Sequence, residues 1–213
     1  MHVRNSCVSR PTGAARHLTS HSSGRLRRRL IPALGLMKFR DRPEEVQQRL
    51  ETLVEEMGGE SDRAVAIVGS AWVEEALGDS VTSFLDAHAD AHKRLFSGAG
   101  PLSSFSAKID LARLLGLMTD SIRSDLHKIR EIRNEFAHSI ANKQDHTKLS
   151  FTANHIHDKC LALNCVAQEA HTDARVAFTR ACATLNADFD LITLIGDKIA
   201  GQHKVVAAGV DAA

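Results

Sequence analysis

The chain has 213 residues, of which 43% are apolar, 25% charged and 4% aromatic. This composition indicates a globular protein, and no run approaches the roughly 18 apolar residues of a membrane span. The nearly balanced total of 27 Lys+Arg and 26 Asp+Glu hides an uneven distribution. Residues 1–36 carry seven Arg and no Lys, Asp or Glu, which leaves 20 bases and 26 acids in residues 37–213.

The segment 1–36 is predicted to be a disordered, basic N-terminal extension, and three interpretations stay open. Its Arg- and Ser-rich, acid-free composition resembles a transit peptide. It also suits a flexible arm that binds nucleic acid or an anionic surface. Alternatively, the segment is an artefact of an early start, since Met37 and the residues after it read like the beginning of a bacterial protein.

The body from residue 37 begins with two predicted helices. Pro43 suits a first helical turn, and apolar residues follow at spacings of three to four until Gly58-Gly59 ends the run. Ser61 reads as the N-cap of a second helix, which we expect to end near Leu77. Its expected buried face consists of Ala64, Ile67, Val68 and Ala71, with Glu75 in line as a carboxylate that needs a partner.

The same spacing predicts helices along the rest of the body. One starts at Val81 and includes His88 and His92, another lies in the segment Leu102–Met118, and a strong one covers residues 120–141. Residues 154–187 predict a long helix or a kinked pair, followed by a short helix at 191–200. The scarcity of aromatic residues and the missing βαβ rhythm predict an all-α fold, an antiparallel helical bundle with one long C-terminal helix.

The densest polar cluster lies on the predicted helix 120–141. At about 100° per residue, Arg130, Asn134 and His138 fall near 60°, 100° and 140° from Arg133, on one arc beside the apolar stripe. A forked guanidinium, an amide and an imidazole are the minimal set for metal-free phosphodiester cleavage by general acid–base catalysis. The alternative is a plain polar helix face, with Arg133 neutralising Glu75 as a structural tie.

Other sites are less well supported by the sequence. His155, His157 and Cys160 have a spacing that suits tetrahedral zinc poorly, and Cys160 falls on an apolar stripe, so we expect no metal and no cofactor. Four cysteines in a chain of this length indicate reduced thiols and a cytoplasmic protein. The six-residue excess of acids in the body argues against direct DNA binding, which needs surplus Lys and Arg.

Three segments resemble the mannitol operon repressor family, which consists of small, all-helical bacterial proteins. The segments are Glu60–Leu77, Leu102–Leu117 with its Phe-Ser-Ala-Lys-Ile block, and Leu126–His138 with Ile-Arg-Asn-x-Phe-Ala-His, within a match over roughly 45–185. The resemblance implies a mannitol-repressor-like domain over 37–213 and a role in transcriptional repression. A cytoplasmic, homodimeric co-repressor that acts through a protein partner or a DNA-bound complex is consistent with the acidic body.

A second, local resemblance concerns the Arg-x4-His spacing of Arg133 and His138, which is similar to that of HEPN domains. Those domains are helical bundles that often dimerise and cleave RNA without metal. The resemblance implies that Arg133 binds phosphate, that His138 is the acid–base and that Asn134 supports both. The alternative function is therefore a metal-independent endoribonuclease or an RNA-binding domain.

Overall fold

The computed structural model describes residues 44–85, 88–139, 149–169 and 171–210, so the predicted extension 1–36 lies outside the described residues. Within these ranges the chain forms seven α-helices, one 3₁₀ helix and no strand. They are α1 (Glu44–Gly58), α2 (Asp62–Thr82), α3 (Ala89–Phe96), α4 (Phe105–Leu114), α5 (Asp120–His138), α6 (Asn154–Leu161), the 3₁₀ helix Asn164–Glu169 and α7 (Ala174–Val210). The predicted all-α antiparallel bundle with a long C-terminal helix is confirmed.

Helix α7 is the central element of the bundle. Its middle part is buried around almost its whole circumference, since α1, α2 and α6 all pack against it. Helix α1 meets it through Leu53 and Val54, which contact the buried Ala183 and Ala187. Alanines at these positions leave room for close helix packing. As predicted, the small residues of this helix belong to the core.

The buried face of α2 is not the predicted one. Val68 is 41% exposed and Ala71 is exposed, whereas Gly69 and Ser70 are buried against the rest of the bundle. A Cβ placed on Gly69 would lie 3.3 Å from both Cys182 Sγ and Met57 Sδ, so a small residue is needed there. The prediction ranked residues by hydrophobicity, but in this helix small size decides which side can approach α7.

Helix α2 also continues past its predicted end. It runs through Gly78-Asp79-Ser80 to Thr82, and the helix predicted to start at Val81 begins instead at Ala89, with His88 as its N-cap. Ser80 is buried and donates its hydroxyl to the Leu77 carbonyl at 2.9 Å. Because that bond satisfies the hydroxyl within the helix, a residue typical of caps is accommodated in a helix interior.

The C-terminal third is divided differently from the prediction. Residues 154–187 form α6, the 3₁₀ helix and the first part of α7, and the short helix expected at 191–200 is a continuation of α7. The predicted apolar stripe is nevertheless buried at Ile156, Cys160, Leu163 and Leu185. The spacing of apolar residues therefore located the core correctly, although it did not show where the chain turns.

Candidate functional site

Helix α5 carries the polar cluster predicted as a site, and both of its ends are fixed. The Thr119 hydroxyl accepts the amide N–H of Ile122 at 3.3 Å and so caps the N-terminus. At the other end, Arg63 of α2 donates to the carbonyls of Phe136 at 2.6 Å and Ala137 at 3.3 Å. Those carbonyls lie in the last turn, where helical N–H partners run out and a cation is favourable.

Arg133 lies beside the buried face of α5 and forms an ion pair with α2. Its guanidinium donates to Glu74 Oε2 at 2.7 Å, and the other oxygen of Glu74 accepts from Lys108 Nζ of α4 at 3.3 Å. The exposed fractions of the side chains are 35% for Arg133, 17% for Glu74 and 16% for Lys108. Three helices thus meet at one carboxylate, which Arg133 shares with Lys108, so Arg133 is held by an ion pair within the fold.

Glu75 was predicted as the partner of Arg133, and this prediction was wrong, because the partner is the preceding residue, Glu74. Glu75 is exposed, because the buried face of α2 is centred on residues such as Val73 and Leu77 rather than on the predicted stripe. That register places Glu74 on the flank that faces α4 and α5, and it turns Glu75 about 100° further into solvent. The general interpretation, a structural tie between Arg133 and a carboxylate of this helix, is the arrangement observed.

Arg130, Asn134 and His138 lie on the outer side of α5, one helical turn apart. Asn134 and His138 are exposed, and Arg130 is partly buried. Arg130 Nε is inaccessible to solvent and has no hydrogen-bond partner. His138 lies about 140° around the helix from Arg133, on the side away from the core. The predicted cluster is therefore divided. Arg133 lies on the flank of α5 that pairs with Glu74, whereas Arg130, Asn134 and His138 form an outward stripe.

His127 belongs to the outward stripe and was missed by the sequence reasoning. Partial burial lowers the pKa of His127, and the positive charges of Arg123 and Arg130 lower it further, against opposing effects of Asp110 and Glu131. The imidazole is thus favoured in its neutral form. The signal was present in the sequence, since His127 follows Arg123 by four residues and precedes Arg130 by three, which are the spacings of helical neighbours.

The stripe borders a set of ion pairs with α6. Lys159 Nζ contacts Glu135 at 2.6 Å and Glu131 at 3.3 Å, and His155 Nε2 contacts Glu135 at 2.8 Å. The hydrogen bond to Glu135 is the main reason why the pKa of Lys159 is raised, and burial opposes it. His155, a member of the weak zinc pattern, and Lys159 in the same segment therefore bind carboxylates of α5.

Cys160 is fully buried in the core, as expected for a cysteine that serves as a small apolar residue. Burial raises the pKa of its thiol to about 12. In the part of the chain that the structure describes, no group of three or more His, Cys, Asp and Glu is arranged to hold a metal ion.

Asp125 is the charged residue of α5 that the sequence reasoning overlooked. Its side chain is fully buried, and it accepts hydrogen bonds from the backbone N–H groups of Asn164 at 3.0 Å and Cys165 at 2.9 Å. The Asn164 amide at 2.8 Å and Lys128 at 3.3 Å add two further donors. These N–H groups open the 3₁₀ helix, so Asp125 acts as its remote N-terminal cap.

Comparison of the chain with protein-family models, with curated proteins and with solved structures found no match. Among the described helices, none combines the length and apolarity that a membrane crossing requires.

Proposed function

We propose that the chain is a transcriptional regulator of the mannitol operon repressor type, a co-repressor held at its operon by a protein partner. The ion pair of Arg133 with Glu74 is the observation that favours a binding role over catalysis. A guanidinium that pairs with a half-buried carboxylate of a neighbouring helix contributes to the stability of the bundle and is poorly placed to bind a substrate phosphate.

The charge of the body supports a protein partner rather than DNA. Residues 37–213 contain 20 bases and 26 acids. Several bases of the described bundle are also engaged within the fold, since Arg133 and Arg175 pair with carboxylates and Arg63 donates to backbone carbonyls. Since phosphate contacts supply most of the affinity for DNA, this body offers little for unaided binding. The proposal includes the cytoplasm as the compartment and a homodimer as the working form.

The test of this proposal is binding of the full chain to a mannitol-operon promoter fragment at moderate salt, with and without cell extract. We expect a shifted complex only when extract is present, together with increased operon expression after deletion of the gene. The proposal fails if no complex forms in either condition and deletion leaves expression unchanged.

A HEPN-type ribonuclease or RNA-binding domain is the alternative, and it is favoured by one observation, the exposed position of Asn134 and His138 next to Arg130. Total RNA incubated with the protein in EDTA tests it, with His138→Ala as the variant and His157→Ala as a matched control. Cleavage that His138→Ala abolishes and His157→Ala preserves supports the alternative. Intact RNA, or equal cleavage by both variants, rejects catalysis.

A further inference from the structure

Arg130 differs from most other arginines of the described bundle in having no acceptor. Arg63 binds backbone carbonyls, Arg113, Arg123 and Arg133 bind carboxylates at 2.7 to 2.8 Å, and Arg175 binds both kinds of acceptor. Arg130 forms neither a hydrogen bond nor an ion pair with the described residues, although its Nε is shielded from water. A guanidinium that is partly desolvated and unpaired gains more from an external anion than a fully hydrated one does.

The side chains beside Arg130 can complete an anion site. His127 lies three residues before it and Asn134 four residues after it, so both are neighbours on the helix surface. Both can donate an N–H to an oxyanion without adding a competing negative charge. The two acids whose charges act on the neighbouring His127 are engaged elsewhere, since Asp110 binds Arg123 at 2.8 Å and Glu131 binds Lys159 at 3.3 Å.

We propose that Arg130, with His127 and Asn134 beside it, binds a single carboxylate side chain of a protein partner. This inference rests on the proposed co-repressor function, because it assigns the surface through which that partner is held. A carboxylate is favoured over a nucleic-acid phosphate for two reasons. One unpaired guanidinium matches one negative charge, and the acidic body repels a polyanion.

The first experiment measures acetate binding to the full chain by NMR, with chloride at matched ionic strength as the control. We expect a saturable shift of the Arg130 side-chain N–H and of the His127 ring signals with acetate and none with chloride. The bound anion should also raise the pKa of His127, because it offsets the charge of Arg130. Arg130→Gln should abolish saturation, whereas Arg94→Gln, an equal charge change at an exposed site on α3, should preserve it. Equal loss in both variants, or no saturation in the wild type, overturns the proposal.

The second experiment identifies the source of the anion. A peptide with one glutamate among neutral residues and a single-stranded RNA are titrated separately, and the His127 signals are read. A local signal is needed because the arginines of residues 1–36 attract either anion. A His127 shift with the peptide alone supports a protein partner, and a shift with the RNA overturns it in favour of nucleic acid. Failure here leaves the promoter result with extract unaffected, so it is distinguishable from failure of the co-repressor proposal.

Discussion

The two sides of helix α5 treat their charges in opposite ways. On the side near the core, Arg133 binds Glu74, and Asp125 is buried under four donors. On the outer side, Arg130 has no acceptor among the described residues, and Asn134 and His138 face solvent. Arg130 and Arg133 are less than one turn apart in sequence, so the environment, and not residue type, separates a structural charge from one available for binding.

This difference assigns the charges of the predicted cluster to two roles, stability and binding. Charges that neighbouring helices neutralise should contribute to stability, and changing them should unfold the bundle more easily. Charges on the outer stripe should contribute little to folding, and changing them should affect binding alone. The following variants test that division in order of expected effect.

Asp125→Ala should produce the largest loss of stability. It leaves the N–H groups of Asn164 and Cys165 without their buried acceptor, and such losses cost about 3 kcal/mol. Urea unfolding followed by circular dichroism measures the change. Asp110→Ala is the control, since its ion pair with Arg123 is exposed and should contribute below about 1 kcal/mol. Equal losses in the two variants would contradict the distinction between buried and exposed charges.

Arg133→Gln should have a smaller effect, a loss of about 1 to 2 kcal/mol in the free energy of unfolding, since its ion pair is only partly exposed. A double-mutant cycle with Glu74→Gln isolates the interaction, and we expect a coupling of about 1 kcal/mol. The same cycle with Glu75→Gln is the matched control and should give a coupling near zero. A larger coupling to Glu75 than to Glu74 would refute the observed register of α2.

Sequence reasoning identified α5 and its polar residues, but it did not show which of them are paired within the fold and which face outward. The 3.6-residue period places Arg130, Asn134 and His138 together on a helix whatever surrounds it. Whether Arg133 is paired depends on the rotation of α2, and that rotation places Gly69 where a Cβ would lie only 3.3 Å from Cys182 Sγ and Met57 Sδ. No periodicity of hydrophobic residues reports such a contact. This is why the predicted face was wrong and why Glu75 was chosen instead of Glu74.

Asp125 shows a second limit of the same reasoning. Its N–H partners, Asn164 and Cys165, lie about 40 residues away in the sequence, at the start of a 3₁₀ helix that was expected to be part of a long α-helix. A carboxylate at position 125 reads as an ordinary polar residue until that distant turn is known. Local periodicity therefore located the helices and much of the core, whereas the rotation of α2 and the bonds between distant segments required the structure.

Arg130→Gln should leave stability nearly unchanged, within about 0.5 kcal/mol, because the variant removes no hydrogen bond or ion pair seen in the described residues. Urea unfolding of Arg130→Gln and of Arg133→Gln, measured in parallel, compares the two arginines directly. A loss as large as that of Arg133→Gln would mean that Arg130 is also a structural charge, and the division of α5 would fail.

The smallest expected effect is a pH dependence that comes from His127. Because the folded pKa of His127 lies below the ordinary histidine value of about 6.5, the unfolded chain binds more protons between the two values. The contribution of His127 to the free energy of unfolding is therefore fully present above about pH 6.5, and it decreases as the pH falls towards the folded pKa. Arg130→Gln removes one of the charges that lower the pKa, so it should raise that pKa and reduce this slope. NMR titration of the His127 ring in both proteins measures the pKa values. An unchanged pKa in the variant would show that Arg130 does not act on His127, and that the outer stripe is not one electrostatic unit.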